Sequence, residues 1–170
     1  MLQFPFNEVE GLVTENDKLT LQSLACECAV LPGIFVEIGS YRGLSALCIL
    51  SGAPKAKLLC FDIFDPVNIG TFKSGIEEAG FTANVQVVIG DFKETIGALN
   101  DDVAFAFIDH DHTKESTVMA YDHLWPRMVK DGLLLFHDFR NFAYSEPTGF
   151  LEALPNRHAI SGGIIVFKKP

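Results

Sequence analysis

Four titratable residues stand in a row where one apolar run of the chain ends. The run Val103–Ile108 is followed directly by Asp109, His110, Asp111 and His112. Carboxylates and imidazoles gathered at one place can ligate a metal ion or move a proton. The same residue types also begin helices, where acids cap backbone N–H groups and interact favourably with the helix dipole. Which interpretation holds for each residue depends on the elements that position it.

Five short runs rich in β-branched and aromatic residues alternate with segments of helical spacing. The runs cover residues 33–38, 57–63, 85–91, 103–109 and 132–138. Strands that are apolar throughout and alternate with helices predict a doubly wound α/β domain, with a mostly parallel sheet and helices on both faces. Such folds bind ligands at the carboxyl ends of their strands. Each run has an acidic residue at its last or next-to-last position, so the four titratable residues are expected at the ligand-binding edge.

Both ends of the chain predict further elements. Thr14 and Asp17 have the spacing of a capping box and predict a helix ahead of the first strand. The tail has two short runs around Ser161-Gly162-Gly163, which predict a terminal hairpin or an antiparallel edge strand. We therefore predict one domain over residues 1–170, with an N-terminal helical extension at 1–32 and a Rossmann-like core at 33–170.

Composition limits the partners and the compartment. The chain has 170 residues and a formal net charge of -9, which opposes nucleic-acid binding because that needs a basic surface. No apolar stretch approaches the roughly 18 residues of a membrane span, and the N-terminus lacks the pattern of a secretory signal. The four cysteines form no C-x-x-C pair and are expected as buried free thiols. A cytoplasmic protein without membrane contact is predicted.

A glycine turn follows the first strand. Gly39 and Gly43 have the spacing G-x-x-x-G, which differs from the G-x-G-x-x-G of dinucleotide folds, and the G-K-[ST] ending of a P-loop is missing. The turn alone is also explained by a tight bend and close helix packing. Acids around it favour a ligand, because Asp62 can accept hydrogen bonds from a ribose diol and Glu37 suits a cationic group. S-adenosylmethionine has a ribose, a sulfonium, an amino group and no phosphate.

Together these motifs resemble class I S-adenosylmethionine-dependent methyltransferases, in the branch of small-molecule O-methyltransferases. The matching motifs are E-x-G-x-x-x-G-x-S at residues 37–45, I-D-x-D-H at 108–112 and H-D at 137–138. The resemblance implies an antiparallel last strand, a small-molecule methyl acceptor and the following cofactor-binding residues: Glu37, Gly39, Ser40, Tyr41, Gly43, Ser45, Asp62, Gly90, Asp91, Phe92 and Asp109. Asp65 competes with Asp62 for the ribose. The region before the first strand is short, so the acceptor pocket is either open or completed by a second subunit of a homo-oligomer.

The resemblance extends to metal and base positions. Catechol-type relatives hold a divalent ion with an Asp after the fourth strand and an Asp-Asn pair after the fifth, and use a Lys as base. These positions correspond here to Asp109, to His137 and Asp138, and to His112. Two carboxylates with an imidazole suit Mn²⁺, Fe²⁺ or Zn²⁺ better than Mg²⁺. Asp109 and His112 are therefore candidate catalytic residues, and Phe139, Phe142 and Tyr144 are candidates for lining an acceptor pocket.

Two other functions stay open at this point. A metal-dependent hydrolase or lyase would use Asp109, Asp111, His112, His137 and Asp138 without S-adenosylmethionine. A non-catalytic module would bind the cofactor or a partner and perform no chemistry. A dehydrogenase is opposed by the glycine spacing. Within the row of four, His110 and Asp111 are expected as helix-start residues.

Overall fold

Seven strands form one sheet within residues 9–170. The computed structural model describes residues 9–170, except for the side chain of Tyr144, so residues 1–8 of the predicted N-terminal extension lie outside the described part. The strands are β1 (Ile34–Ile38), β2 (Leu58–Asp62), β3 (Val85–Ile89), β4 (Val103–Ile108), β5 (Met128–Phe136), β6 (Arg157–Ser161) and β7 (Ile164–Lys168). They lie in the order β3-β2-β1-β4-β5-β7-β6.

The direction of the strands confirms the predicted fold class. Strands β1 to β5 are mutually parallel, whereas β7 pairs antiparallel with both β5 and β6. The tail therefore forms a hairpin whose second strand lies inside the sheet. Strand β5 begins at Met128, four residues earlier than predicted, and the register against β4 shifts between Val103 and Phe105. The chain order reverses between β1 and β4, so the edge beside these two strands is the expected place for a ligand.

In the described part of the chain, six helices cover the two faces of the sheet. They are α1 (Glu15–Cys28), α2 (Leu44–Gly52), α3 (Pro66–Glu78), α4 (Phe92–Thr95), α5 (Lys114–Leu124) and α6 (Glu146–Ala153). Helices α1, α2 and α3 pack on one face around Phe105 and Phe107, and α4, α5 and α6 pack on the other around Ala106 and Ile108. Because neighbouring residues of β4 enter opposite cores, this strand is apolar without alternation.

The helix between β3 and β4 is short. The segment expected as a longer helix has one α-helical turn, α4, followed by a 3-10 turn at Ile96–Ala98. It leaves a groove of about 530 Å³ at the starts of β1, β2 and β3. This groove lies at the opposite end of the strands from Asp109, so it is separate from the titratable residues considered below.

Three further predictions have outcomes here. The capping box at Thr14 and Asp17 is present, with both of its reciprocal bonds. Cys28, Cys48 and Cys60 are buried free thiols as predicted, but Cys26 is exposed, because it lies on the outer side of α1. Within residues 9–170, no helix combines the length and apolar character that crossing a bilayer requires.

Candidate active site

The glycine turn between β1 and α2 is a tight bend that approaches β4. Gly39 and Gly43 have φ angles of 89° and 93°, and Tyr41 between them is also left-handed at 46°. A Cβ atom on Gly39 would lie 1.8 Å from the carbonyl oxygen of Asp109, so no other residue fits there. The turn thus brings its backbone N–H groups against the ends of β1 and β4.

Asp62 at the end of β2 holds this turn in place. Its Oδ2 accepts hydrogen bonds from the backbone N–H groups of Ser40 and Tyr41, both at 2.8 Å, and its Oδ1 accepts one from Phe64 at 2.7 Å. Two ionised oxygens have about four acceptor positions, so one position remains for a ligand hydroxyl. Asp65 instead caps α3 by accepting from the N–H groups of Val67 and Asn68. The local geometry therefore favours Asp62 over Asp65 for the ribose.

Glu37 lies beneath the turn, at the base of the site. Its side chain is fully buried and accepts a hydrogen bond from the hydroxyl of Ser40. Burial raises the pKa of Glu37 to about 7, against the lowering effect of that hydrogen bond. Glu37 does not line either cavity described below, whereas Ser40 and Ser45 line the smaller one. Its direct effect is on the conformation and charge of the turn.

A cavity of about 490 Å³ opens at the carboxyl ends of β1, β2, β3 and β4. Its walls include Phe92 and His110, whose rings stack at 5.2 Å with an interplanar angle of 9°. Burial lowers the pKa of His110 to about 4, so this imidazole is neutral at pH 7. Its Nδ1 accepts a hydrogen bond from the backbone N–H of His112 at 3.1 Å. Together with exposed Ile63, these rings give one flat, uncharged wall to a cavity whose rim also carries Asp62, Asp91 and Asp109.

Asp111 lies at the edge of this cavity and fixes the start of α5. It accepts hydrogen bonds from the hydroxyl of Ser116 and the backbone N–H of Thr113, and it pairs with Lys93 at 3.2 Å. Burial tends to raise the pKa of Asp111, but these hydrogen bonds lower it to about 2. The pair with Lys93 joins the loop after β3 to the loop after β4 across the cavity.

An acid–imidazole cluster lies beyond Asp109, on the side of β5. It consists of Asp109, His112, His137 and Asp138. His137 Nδ1 lies 3.2 Å from Asp109 Oδ1 and 3.7 Å from Asp138 Oδ2, and His112 Nε2 lies 3.5 Å and 3.2 Å from the same two carboxylates. His112 and Asp138 both have left-handed backbones, at φ 55° and 52°. For residues other than glycine such conformations are costly and concentrate at functional sites.

Asp17 completes the surroundings of His137 from the far side. Its Oδ2 lies 3.5 Å from His137 Nε2, and the two side chains are 2% and 6% exposed. Burial lowers the pKa of His137, but the hydrogen bond with Asp109 and the charges of Asp109, Asp138 and Asp17 outweigh it and raise the pKa to about 9. This contact could not be predicted from the sequence, because it depends on how α1 packs against β5 and β6.

A second cavity of about 220 Å³ adjoins the cluster. The turn residues Ser40 and Ser45 line one side, and the cluster lines the other. Residues 11–13 pass along its edge, and Glu10 just before them forms an ion pair with Arg42 of the turn. Gly39, Tyr41, Asp62, Asp109 and His110 line both cavities, so the two are one continuous site.

The predicted site residues gather at this edge, with differences in how directly they face the space. Asp91 and Phe92 line the larger cavity, whereas Gly90 and Gly43 shape the turns behind it. Phe139 is buried and Phe142 is fully exposed, and the side chain of Tyr144 lies outside the described part. His110 was missed as a lining residue. Its position directly after Asp109 could have suggested this, since the end of β4 carries both residues into the site.

The sequence matches one protein-family model. The family is described as "Methyltransferase domain", and the match covers residues 36–139, from β1 to the residue after Asp138. This range contains the glycine turn, Asp62 and the acid–imidazole cluster. No curated protein matches the chain significantly.

Several solved structures have the same fold. A cofactor-bound protein from MTB superposes with a TM-score of 0.76 at 18% identity, covering 94% of this chain and 82% of that chain. An O-methyltransferase from Bacillus cereus in complex with SAH gives 0.74 at 15%, covering 94% and 83%. The O-methyltransferase TomG from Streptomyces achromogenes in complex with SAM gives 0.74 at 12%, covering 94% and 82%. At these identities the likeness concerns the fold.

Proposed function

The chain belongs to the methyltransferase domain family, and we propose that it transfers the methyl group of S-adenosylmethionine to an oxygen of a small molecule. The observation that carries the proposal is the continuous site around Asp109, with a cavity walled by the stacked rings of Phe92 and His110 on one side and an acid–imidazole cluster on the other. The names of the similar structures, which include complexes with SAM and SAH, support the same cofactor.

The two cavities suit the two ends of this cofactor. We place the adenine in the larger cavity beside Phe92 and His110, because neutral rings stack well on a flat base. The ribose hydroxyls then reach Asp62, and the methionine end reaches the turn and Asp109. An ammonium group beside the Asp109 carboxylate forms a charge-assisted hydrogen bond, which is about twice as strong as a neutral one.

The donors of the cluster fit a divalent metal ion. Asp109, His137 and Asp138 each offer one ligand atom, and these atoms lie within 4.8 Å of one another. The second ring nitrogen of His137 faces the carboxylate of Asp17, as is common for histidines that bind metals. Mixed nitrogen and oxygen donors favour Mn²⁺, Fe²⁺ or Zn²⁺ over Mg²⁺. When bound, such an ion would lower the pKa of an acceptor hydroxyl.

His112 is placed to take the proton of the acceptor. It lines the smaller cavity, and Asp109 and Asp138 stabilise the imidazolium that would form. The acceptor oxygen loses its proton to His112 and forms a bond to the methyl carbon. The bond between carbon and sulfur breaks, its electron pair goes to the sulfur, and neutral S-adenosylhomocysteine remains.

The charges around the site indicate the class of acceptor. The nearby cations are paired with acids, Arg42 with Glu10 and Lys93 with Asp111, whereas the cluster itself is rich in carboxylates. An acceptor with several phosphates or carboxylates would be repelled there. We therefore propose a small acceptor that is uncharged or cationic and carries a hydroxyl group.

We further propose a single domain over residues 1–170 that belongs to the small-molecule O-methyltransferase branch. We also propose a cytoplasmic location, no nucleic-acid or membrane partner, and a homo-oligomer. Gel filtration with light scattering tests the last of these directly.

Calorimetric titration with S-adenosylhomocysteine tests the central proposal. We expect saturable binding with one site per chain, and a folded sample that gives no heat at millimolar ligand would contradict the proposal. Incubation with S-adenosylmethionine and a panel of phenols and catechols, with detection of released S-adenosylhomocysteine, then tests transfer. Tight cofactor binding without any turnover would favour the non-catalytic module, and stoichiometric metal without nucleoside binding would favour a hydrolase or lyase.

A further inference from the structure

We propose that Asp17 of α1 is a positioning residue of the active site, which holds the imidazole of His137 so that its Nδ1 faces Asp109 and Asp138. The proposal rests on the proposed function, because that function gives the cluster its role. It makes the N-terminal helix a part of the site and not only a cover for one face of the sheet.

The first observation is that His137 lies between carboxylates on both sides of its ring. Nε2 lies 3.5 Å from Asp17, and Nδ1 lies 3.2 Å from Asp109 and 3.7 Å from Asp138. An imidazole with an acceptor at each nitrogen has one preferred ring orientation, since a rotation about its bond to Cβ would lose both contacts. The ring is 6% exposed, so water does not compete for these positions.

The second observation is that Asp17 is itself held by two separate parts of the chain. Its Oδ2 accepts from the backbone N–H of Thr14 at 3.0 Å and from the hydroxyl of Thr14 at 2.6 Å. Its Oδ1 accepts from the backbone N–H of Gly163 at 3.3 Å, in the hairpin between β6 and β7. The carbonyl oxygen of Gly163 in turn accepts from the N–H of Phe139, one residue after Asp138. The carboxylate is therefore fixed relative to the end of β5.

The third observation is that helix capping does not explain this burial. A capping box needs only the reciprocal bonds between Thr14 and Asp17, and the acid at this position can remain in water. Asp65, which caps α3, is exposed, whereas the side chain of Asp17 is 2% exposed. Even Gly162 is constrained by it, because a Cβ atom there would lie 2.7 Å from Asp17 Oδ1. The burial places the carboxylate against His137.

Three variants of the α1 N-terminus separate positioning from capping and from charge. Asp17→Ala removes the contact with His137 and breaks the capping box. Thr14→Ala breaks the capping box and removes the hydroxyl bond, but the Asp17 carboxylate keeps its bonds from the backbone N–H groups of Thr14 and Gly163. Glu15→Ala removes an acid whose side chain is 74% exposed in the same turn. Two readouts are measured on each full-length variant: the affinity for Mn²⁺ by calorimetry, and the imidazole N–H signal of His137 by NMR in metal-free protein.

The proposal predicts that only Asp17→Ala changes both readouts. We expect Mn²⁺ binding to weaken about 10- to 100-fold, as for other residues that orient metal-binding histidines, and less than about threefold in the two controls. The hydrogen-bonded Nε2–H proton of His137, protected from exchange in the wild type, is expected to disappear in Asp17→Ala alone. An unchanged signal in Asp17→Ala, or an equal loss in Thr14→Ala, would overturn the proposal.

Two further measurements keep the outcome decisive. If Asp17→Ala does not fold, Asp17→Asn preserves the shape and removes the charge, and a smaller weakening in the same direction is expected. S-adenosylhomocysteine binding is measured in all variants and should equal that of the wild type. A wild type that binds neither S-adenosylhomocysteine nor Mn²⁺ would contradict the proposed function, whereas the His137 N–H signal still decides the role of Asp17.

Discussion

Asp109 divides the site into two regions that treat a histidine in opposite ways. Towards β2 and β3, His110 stacks on Phe92, and burial lowers its pKa to about 4. Towards β5, His137 is buried as well, yet the hydrogen bond with Asp109 and the surrounding carboxylates overcome that burial and raise its pKa to about 9. Both histidines follow a strand of the same sheet, so their opposite charge states come from their neighbours and not from the backbone position.

This difference shows how one edge of the sheet can serve two kinds of chemistry. The region around His110 has no net charge on its rings and suits a flat, neutral base. The region around His137 concentrates ionic groups and suits a metal ion or a proton transfer. If the regions are independent, a variant on one side should leave the property of the other side unchanged.

The largest effect is expected from His112→Ala in the charged region. Turnover should fall about 100- to 10,000-fold, because general acid–base catalysis contributes that much. The affinity for S-adenosylhomocysteine should stay within about twofold, since the proposed cofactor contacts lie mainly on the other side. Both quantities are measured by product assay and calorimetry once an acceptor has been found.

The matched control for this variant is His123→Ala on α5. His123 contacts the carbonyl oxygen of Met119 in its own helix and lines neither cavity. Wild-type turnover is expected for it. Near-normal turnover of His112→Ala across neutral pH would remove His112 as the base and leave the charged region a structural feature.

The next effect concerns stability and belongs to Glu37 beneath the turn. Burial raises its pKa from 4.5 to about 7, so the folded state binds the proton more tightly than the unfolded state. The unfolding free energy of the wild type should therefore fall as pH rises through this window, by about 3 kcal/mol from this group alone. Glu37→Gln cannot ionise and should lack this part of the decline.

Denaturant unfolding of both proteins on either side of that window measures the difference. We expect Glu37→Gln to gain stability relative to the wild type at the higher pH. A constant difference between the two proteins would show that Glu37 has the same pKa folded and unfolded. In that case burial beneath the turn would not favour the neutral form of Glu37.

Asp62→Ala tests the ribose position in the neutral region. Loss of a hydrogen-bond acceptor that is charged should weaken S-adenosylhomocysteine binding about 10- to 100-fold. Asp65→Ala is the matched control, because it removes a nearby acid that caps α3. Mn²⁺ affinity should not change in either variant. If both variants weakened S-adenosylhomocysteine binding equally, the result would not distinguish Asp62 from Asp65 as the residue that binds the ribose.

Much of this arrangement could be predicted because it depends on local sequence. Apolar strands followed by glycine or acids place Gly39, Asp62 and Asp109 at the ends of neighbouring parallel strands, whatever the details of packing. The family match confirms the predicted methyltransferase family, and the strand order and pairing confirm the predicted sheet and its antiparallel last strand. The cofactor and metal roles of single residues stay predictions, to be decided by the variants above.

The features that were missed depend on contacts between distant parts of the chain. Asp17 reads as a capping acid in sequence, and only the packing of α1 brings it to His137, which is 120 positions away. In the sequence His110 looks like an exposed helix-start residue, because its burial depends on stacking with Phe92 at the start of α4. The shortness of α4 was not predicted, because the segment has helical spacing whereas the α-helix itself ends after one turn.

The smallest effect is expected from Lys93→Ala, which removes the ion pair between α4 and the loop after β4. Its ion pair with Asp111 lies at the surface, and exposed pairs contribute little and are weakened by salt. Asp111 also keeps its bonds from Thr113 and Ser116, so the start of α5 should remain formed. We expect S-adenosylhomocysteine affinity to change less than about threefold, as for surface pairs generally.

Exposed Lys114 offers a control through Lys114→Ala at the start of α5. Suppose that Lys93→Ala weakens S-adenosylhomocysteine binding more than about tenfold at low salt, and that the variant and the wild type bind equally at high salt. This result would mean that the ion pair closes the cavity around His110 over the cofactor. The two sides of Asp109 would then differ in mobility, with a mobile region around His110 and a rigid one around His137, and not only in the charge of their histidines.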